Sequence, residues 1–115
     1  MNTQKNDPSQ GDVIWIDLDK ENPLGHEEQG RRPVLVISND NFNHLNGGIV
    51  KAIPITTSSH QFPYHIDLPK KAKVKGKVMI DQEREIDIKA RHYKFYCHLP
   101  DSFVKKIIEI LLTSF

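Results

Sequence analysis

Apolar residues fall into two patterns along the chain: short β-branched stretches bounded by turn residues, and one helical stripe near the C-terminal end. In "DVIWIDL" (12–18), Val13, Trp15 and Asp17 alternate with Ile14, Ile16 and Leu18, which predicts a strand. "PVLVIS" (33–38) is a continuous apolar run, hence a buried strand with Pro33 confined to its first position. "IVKAIPI" (49–55) predicts a third strand, with an edge or bulge at Pro54, which has no N–H to donate. "PYHIDL" (63–68) alternates as a half-buried strand, and "KGKVMIDQ" (75–82) predicts a fifth. Residues 84–99 fit no single period, although Tyr93, Phe95, Tyr96 and Cys97 point to extended structure towards the end. "PDSFVKKIIEILLTSF" (100–115) predicts a helix, with Pro100 in its first turn and Asp101 complementing the dipole. Phe103, Ile107, Leu111 and Phe115 form one i, i+4 row, with Val104, Ile108 and Leu112 beside it. Ile110 lies off that stripe.

Between these segments the punctuation is strong. "KENPLGHEEQG" (20–30) holds Pro23, Gly25 and Gly30 and predicts a long loop; loops of this length in compact domains are often functional. "NDNFNHLNGG" (39–48) is turn chemistry around one helical turn, and "TTSSHQF" (56–62) is a polar loop. Five or six short strands with a terminal helix and no βαβ alternation predict a compact, barrel-like antiparallel sheet. The expected organisation is a disordered polar tail over residues 1–10 and a single domain over 11–115. A chain of 115 residues can build one modest core, burying roughly 65% of its unfolded surface.

The formal net charge is only +1, but it is unevenly distributed. Residues 1–50 carry 4 basic and 8 acidic side chains, and residues 51–115 carry 12 basic and 7 acidic. The basic half contains "KKAKVKGK" (70–77), with five lysines. That run reads either as a solvated hairpin or as an electrostatic footprint for phosphate. One cysteine excludes an internal disulfide framework and fits a reducing cytoplasm. The first twelve residues lack the apolar core of a secretory signal, and no stretch is long and apolar enough to cross a membrane as a helix.

Candidate chemistry is narrowed by what the spacings exclude. The six histidines never form an i, i+4 pair, "HEEQG" is not H-E-x-x-H, and no second cysteine completes a thiolate pair, so no metal site is expected. Cys97, in an aromatic segment, reads as a small core residue. No nucleophile elbow, phosphate-binding loop or dinucleotide fingerprint occurs. Polar residues at strand ends remain. Arg32 directly precedes a buried strand, and its guanidinium offers five donors in a fixed fork suited to phosphate. Thr56, Thr57, Ser58 and Ser59 leave the third strand as a cluster of hydroxyls, which commonly satisfy turn backbone.

Taken together, "GDVIWIDL", "EEQGRRPVLVIS", "IPITTSS" and "MIDQ", in that order and spacing, resemble the MazF/PemK toxin family over about residues 10–114. The resemblance implies a compact, strongly curved antiparallel sheet of SH3-like barrel type (MazF/CcdB-type) with a C-terminal helix. It implies a metal-independent, sequence-specific endoribonuclease of single-stranded mRNA, the toxin of a type II toxin–antitoxin module. Such a toxin is a cytoplasmic homodimer without a cofactor. Its partner is a small acidic MazE-like antitoxin, and it meets DNA only indirectly, through that antitoxin. By motif, Arg32 matches the family's arginine before proline, Thr56 its active-site threonine, and Glu28 a glutamate implicated in some members. These three are the expected catalytic residues. Gln82, Thr57, Ser58, His26, Lys73 and Lys75 are the expected RNA contacts. The alternative is a non-catalytic toxin of the CcdB-like kind, which shares the general fold but binds a protein target such as DNA gyrase.

Overall fold

The computed structural model describes residues 7–17, 31–45 and 47–114. Leu18, the loop over 20–30 with His26 and Glu28, Phe115 and the first six residues therefore lie outside the described residues. Strand β1 (Asp12–Asp17) pairs antiparallel with β2 (Arg31–Val36), placing Val13 opposite Leu35 and Trp15 opposite Pro33. On its other side β1 pairs with β7 (Tyr93–His98), with a bulge between Val13 and Ile14. The central strand is β3 (Ile49–Thr56). One edge of it pairs with β2; the other is shared by β6 (Arg84–Asp87) and β5 (Lys77–Met79). Strand β4 (His65–Asp67) completes the sheet against β5, giving the order β4-β5-β3-β2-β1-β7 with β6 on β3.

The position of Pro54 explains how β3 serves two partners. The β6 ladder ends at Ala52 and the β5 ladder begins at Ile55, so the residue that cannot donate sits between them. The expected irregularity at Pro54 is this change of partner, inside the strand rather than at its end. Pro33 is likewise interior, because β2 starts at Arg31. The β2–β3 ladder begins only at Val34, so the missing N–H of Pro33 interrupts no bond to β3.

Both faces of the central strands are buried. Val13, Leu35, Ile53 and Ile55 pack with Val78, Ile80 and Leu99 on one face, beneath the C-terminal helix α2 (Asp101–Ser114). Ile14, Ile16, Val34, Val36, Val50 and Ala52 pack with Ile86 and Ile88 on the other. Both faces of these strands are covered, one of them by α2, which is why "PVLVIS" is continuously apolar rather than alternating. The fold is mainly β, a curved, barrel-like antiparallel sheet with a C-terminal helix. Among the described residues no helix is long and apolar enough to cross a membrane.

Among the described residues seven strands form where five or six were expected, because residues 84–99 give two. Residues 84–99 split into β6 and β7 around a turn in which the Asp87 carboxylate accepts from the backbone N–H groups of Lys89 and Ala90. Residues 75–82 form β5 and then a 3-10 turn over Ile80–Gln82, so Gln82 leaves the sheet. The short helix α1 (Asp40–Leu45) is the expected helical turn before Gly47-Gly48. In α2, Val104 and Ile107 are buried, and Phe103, Ile108, Ile110 and Leu111 pack partly on the core. Ile110 thus belongs to the packed stripe and Leu112, 76% exposed, does not. At about 100° per residue from Ile107, Ile110 lies about 60° to one side and Leu112 about 140° round the helix.

Packing extends into the stretch expected to be tail. Pro8 is buried, and its carbonyl accepts from the Asn43 amide at 2.8 Å. The Ser9 N–H donates to Asp12 at 2.8 Å, and the Gln10 amide donates to the Ile37 carbonyl at 2.8 Å. Asp12 is fully buried and also meets His98 Nδ1 at 2.8 Å. Gly11, with φ +97°, lies so close to His98 that a Cβ would sit 2.9 Å from the ring. The "GD" that opens β1 therefore clips together β1, β2 and the β7–α2 junction, through Gly11 N–H to Val36 and Leu99 N–H to Gly11.

Candidate active site

Five segments meet at one groove. The start of β2 brings Arg31 and Arg32, and the end of β3 brings Thr56, Thr57 and Ser58. The β4–β5 connection brings Lys73 and Lys75, and Trp15 of β1 with Tyr96 of β7 form the remaining wall. The groove has a volume of about 620 Å³. Its described lining holds four cationic side chains and no carboxylate. Such a surface attracts an anion, and clefts of one sign concentrate the field.

Arg32 is half-buried opposite Ile16, whereas Arg31 is exposed opposite Asp17. Thr56 ends β3, opposite Lys77. Its hydroxyl oxygen accepts from the Ser58 N–H at 3.1 Å, a local turn bond that leaves the hydroxyl proton to donate elsewhere. The Ser58 hydroxyl lies 2.9 Å from His60 Nδ1 and accepts from the His60 N–H at 3.2 Å. The turn-satisfying role of these hydroxyls and their place in the groove are thus compatible.

The lysine run divides. Lys73 and Lys75 face the groove. Lys77 is buried and paired with Asp67 at 2.6 Å, while Lys70 and Lys71 are exposed outside the groove. What holds this connection against Thr56 is Gly76, with φ +120°; a Cβ there would lie 2.2 Å from the Thr56 carbonyl oxygen. Replacing Gly76 by alanine adds backbone strain to that clash and is expected to destabilise the fold by about 2 kcal/mol or more. Thermal melting of Gly76→Ala checks this; an unchanged midpoint would show that the close approach is not maintained.

Gln82, exposed on its 3-10 turn, does not line this groove, and the structure does not bring it together with Arg32 and Thr56. The turn after Met79 takes it out of β5. Glu28 and His26 lie outside the described residues. The two aromatic walls, Trp15 and Tyr96, were not expected at the site, since each reads locally as part of a strand. Cys97, next to Tyr96, is a poor nucleophile: burial pushes its thiol up from the usual range, against a Val74 backbone hydrogen bond and the Lys73 charge. Among the described residues no three His, Cys, Asp or Glu side chains gather as a metal site would require.

These features define a small curved-sheet domain with a cationic, hydroxyl-lined groove for an anionic partner. The chain belongs to the family of PemK-like, MazF-like toxins of type II toxin–antitoxin systems, whose model matches residues 9–115. It is 34% identical over 108 residues to the endoribonuclease EndoA of Bacillus subtilis (strain 168), covering 90% of each chain. With the endoribonuclease PemK of Escherichia coli it shares 30% identity over 115 residues, covering 96% of this chain and 84% of that one. Its structure superimposes on crystalline MazF (Form-I) of Deinococcus radiodurans with a TM-score of 0.80 at 27% identity, covering 96% of this chain and 97% of the other.

Proposed function

We propose that this protein is a toxin endoribonuclease that cuts single-stranded mRNA at a particular base sequence by using the RNA's own 2′-hydroxyl. The observation that carries this reading is the convergence of half-buried Arg32 with Thr56 in a groove that holds four cations. The 2′-oxygen attacks the adjacent phosphorus, and the P–O5′ bond breaks. The 2′-proton passes to a base, and the leaving 5′-oxygen takes its proton from water. The products are a 2′,3′-cyclic phosphate and a free 5′-hydroxyl. Arg32 supplies positive charge and a paired-donor fork to the phosphorane, and Thr56 donates its hydroxyl proton to a phosphate oxygen. Glu28 is assigned as the base because it matches a glutamate implicated in some family members, with His26 as the alternative; an arginine, charged at every physiological pH, cannot take the 2′-proton. Each step as assigned uses protein groups, water and the substrate, and the reaction is assigned as metal-independent. Primer extension on a long RNA digested by the purified protein in EDTA tests the reading and reveals the base sequence at the cut. An RNA left intact in EDTA but cut with added divalent metal would overturn the metal-independent chemistry.

Within this reading Lys73 and Lys75 track RNA phosphates, whereas Lys70 and Lys71 do not. Replacing Lys73 and Lys75 by alanine is expected to weaken binding of uncleavable RNA. The dependence of log K on log salt should become shallower by up to about 0.7 for each phosphate no longer neutralised. The Lys70/Lys71 pair should leave that slope unchanged, and equal slopes for both pairs would remove the lysines from the RNA path.

The protein is further assigned as a cytoplasmic homodimer with an isologous interface. Leu112, rather than Ile110, is the exposed apolar residue of α2 available to such an interface. Sedimentation at micromolar concentration should give twice the 13.3 kDa chain mass; a monomer alone would contradict the assignment. A small acidic antitoxin, disordered when free, is assigned as the inhibitor that wraps the basic surface. Co-expression of the neighbouring small open reading frame should relieve growth arrest.

A further inference from the structure

The cleavage step uses Arg32 and Thr56 but leaves the aromatic wall of the groove without a task. Trp15 and Tyr96 meet with ring centroids 5.4 Å apart and planes tilted by 59°. Both are only partly buried, and Tyr96 packs its inner side against the core beneath α2. Lys73 Nζ stands 5.0 Å from the Tyr96 ring centroid. Tyr96 is therefore a ring with its inner side held by packing and a cation over its face, in a groove whose other polar groups suit phosphate. A free phosphate would use the cations alone. A nucleotide uses both, because every base has a π-face and each lies one linkage from a phosphate.

We propose that the Trp15–Tyr96 pair is a stacking shelf for one unpaired base of the RNA, beside the phosphate engaged by Arg32 and Thr56. In this arrangement Lys73 turns to the neighbouring phosphate. The shelf rests on the endoribonuclease reading and adds to it a base-binding subsite. Stacking tolerates any base, so the shelf fixes the register of the strand and contributes affinity rather than sequence choice.

The chain contains a single tryptophan, which makes the shelf its own reporter. The probe is a 2′-O-methyl oligoribonucleotide spanning the cut sequence, and a series in which each position in turn is abasic. With the wild-type protein, the intact probe should quench Trp15 fluorescence. One abasic position next to the cut should abolish that quenching and weaken binding about tenfold, the scale of losing one base–aromatic stack. Tyr96→Leu should weaken the intact probe by a similar factor and be insensitive to that abasic position. Tyr96→Phe should behave as wild type. Should Tyr96→Leu fail to fold, the abasic series on the wild type still decides. No position-specific loss in that series, from a protein that cuts RNA, would overturn the shelf and leave the nuclease intact. An antitoxin that needs Tyr96 while RNA binding does not would assign the shelf to the protein partner and overturn the proposal. Absence of both RNA binding and cleavage in the wild type would remove the nuclease reading itself, and the shelf with it.

Discussion

RNA with a 2′-deoxy or 2′-O-methyl sugar at the cut position is expected to bind and to remain intact. The reaction assigned to the groove makes its nucleophile from the 2′-oxygen, so removing or capping that oxygen leaves nothing to attack. The loss should be complete within detection, because neither Thr56 nor Arg32 offers an alternative. The Thr56 hydroxyl meets the Ser58 backbone N–H, a donor that cannot take up its proton, and guanidinium is no nucleophile. Phosphate contacts are unaffected by the change, so affinity should fall little. End-group analysis of the natural substrate should show a 2′,3′-cyclic phosphate and a 5′-hydroxyl. A deoxy substrate cut at the normal rate would sink this chemistry, even for a protein that arrests growth.

Arg32→Ala should lose at least about a hundredfold in cleavage rate, the scale for removing one transition-state donor. The half-buried position of Arg32, held by a strand rather than a mobile loop, is what makes such a donor preorganised. Arg32→Lys should be nearly as poor, because an ammonium presents one point charge where the fork presents paired donors. Arg31→Ala should matter much less, since Arg31 is exposed and its charge is more strongly screened. Single-turnover rates at saturating RNA would separate this from a loss of binding. The variant should still fold and sediment as wild type, because Arg32 belongs to neither apolar cluster. A rate for Arg32→Ala within a few-fold of wild type would move the transition-state charge to another group.

Much of the site is legible in the sequence because its main residues stand at strand ends. Neither Arg32 before its apolar run nor Thr56 among the hydroxyls after β3 is specific alone; the combined family motifs single them out as the proposed pair. Gln82 reads as part of a strand from its apolar neighbours. Local preference does not reveal that β5 stops at Met79, where the chain turns to pack Ile80 into the core. The lysine run shows the same limit. Its five members are equivalent in composition, yet the pairing of Lys77 with Thr56 and the turn at Gly76 send two to the groove and bury one. "GD" is legible as a family mark; its role as a clip needs His98 and Leu99, which lie far along the chain.

The sequence by itself determined the family, through which Arg32 and Thr56 are proposed as catalytic, and it determined most of the strands and the C-terminal helix. These depend on periodicity and turn chemistry within a few residues of one another, where backbone sterics and local burial act. Tertiary structure decided which face each strand residue takes, which cations share the groove, and that an aromatic pair stands beside them. Trp15, Thr56, Lys73 and Tyr96 come from four separate segments, and their meeting depends on strand register and sheet curvature. In a sheet a one-residue shift of register reverses every side chain. Long-range pairing of β1 with β2 and β7, and of β3 with β5, is therefore what makes ordinary segments, with β2 and its Arg32 among them, into one site.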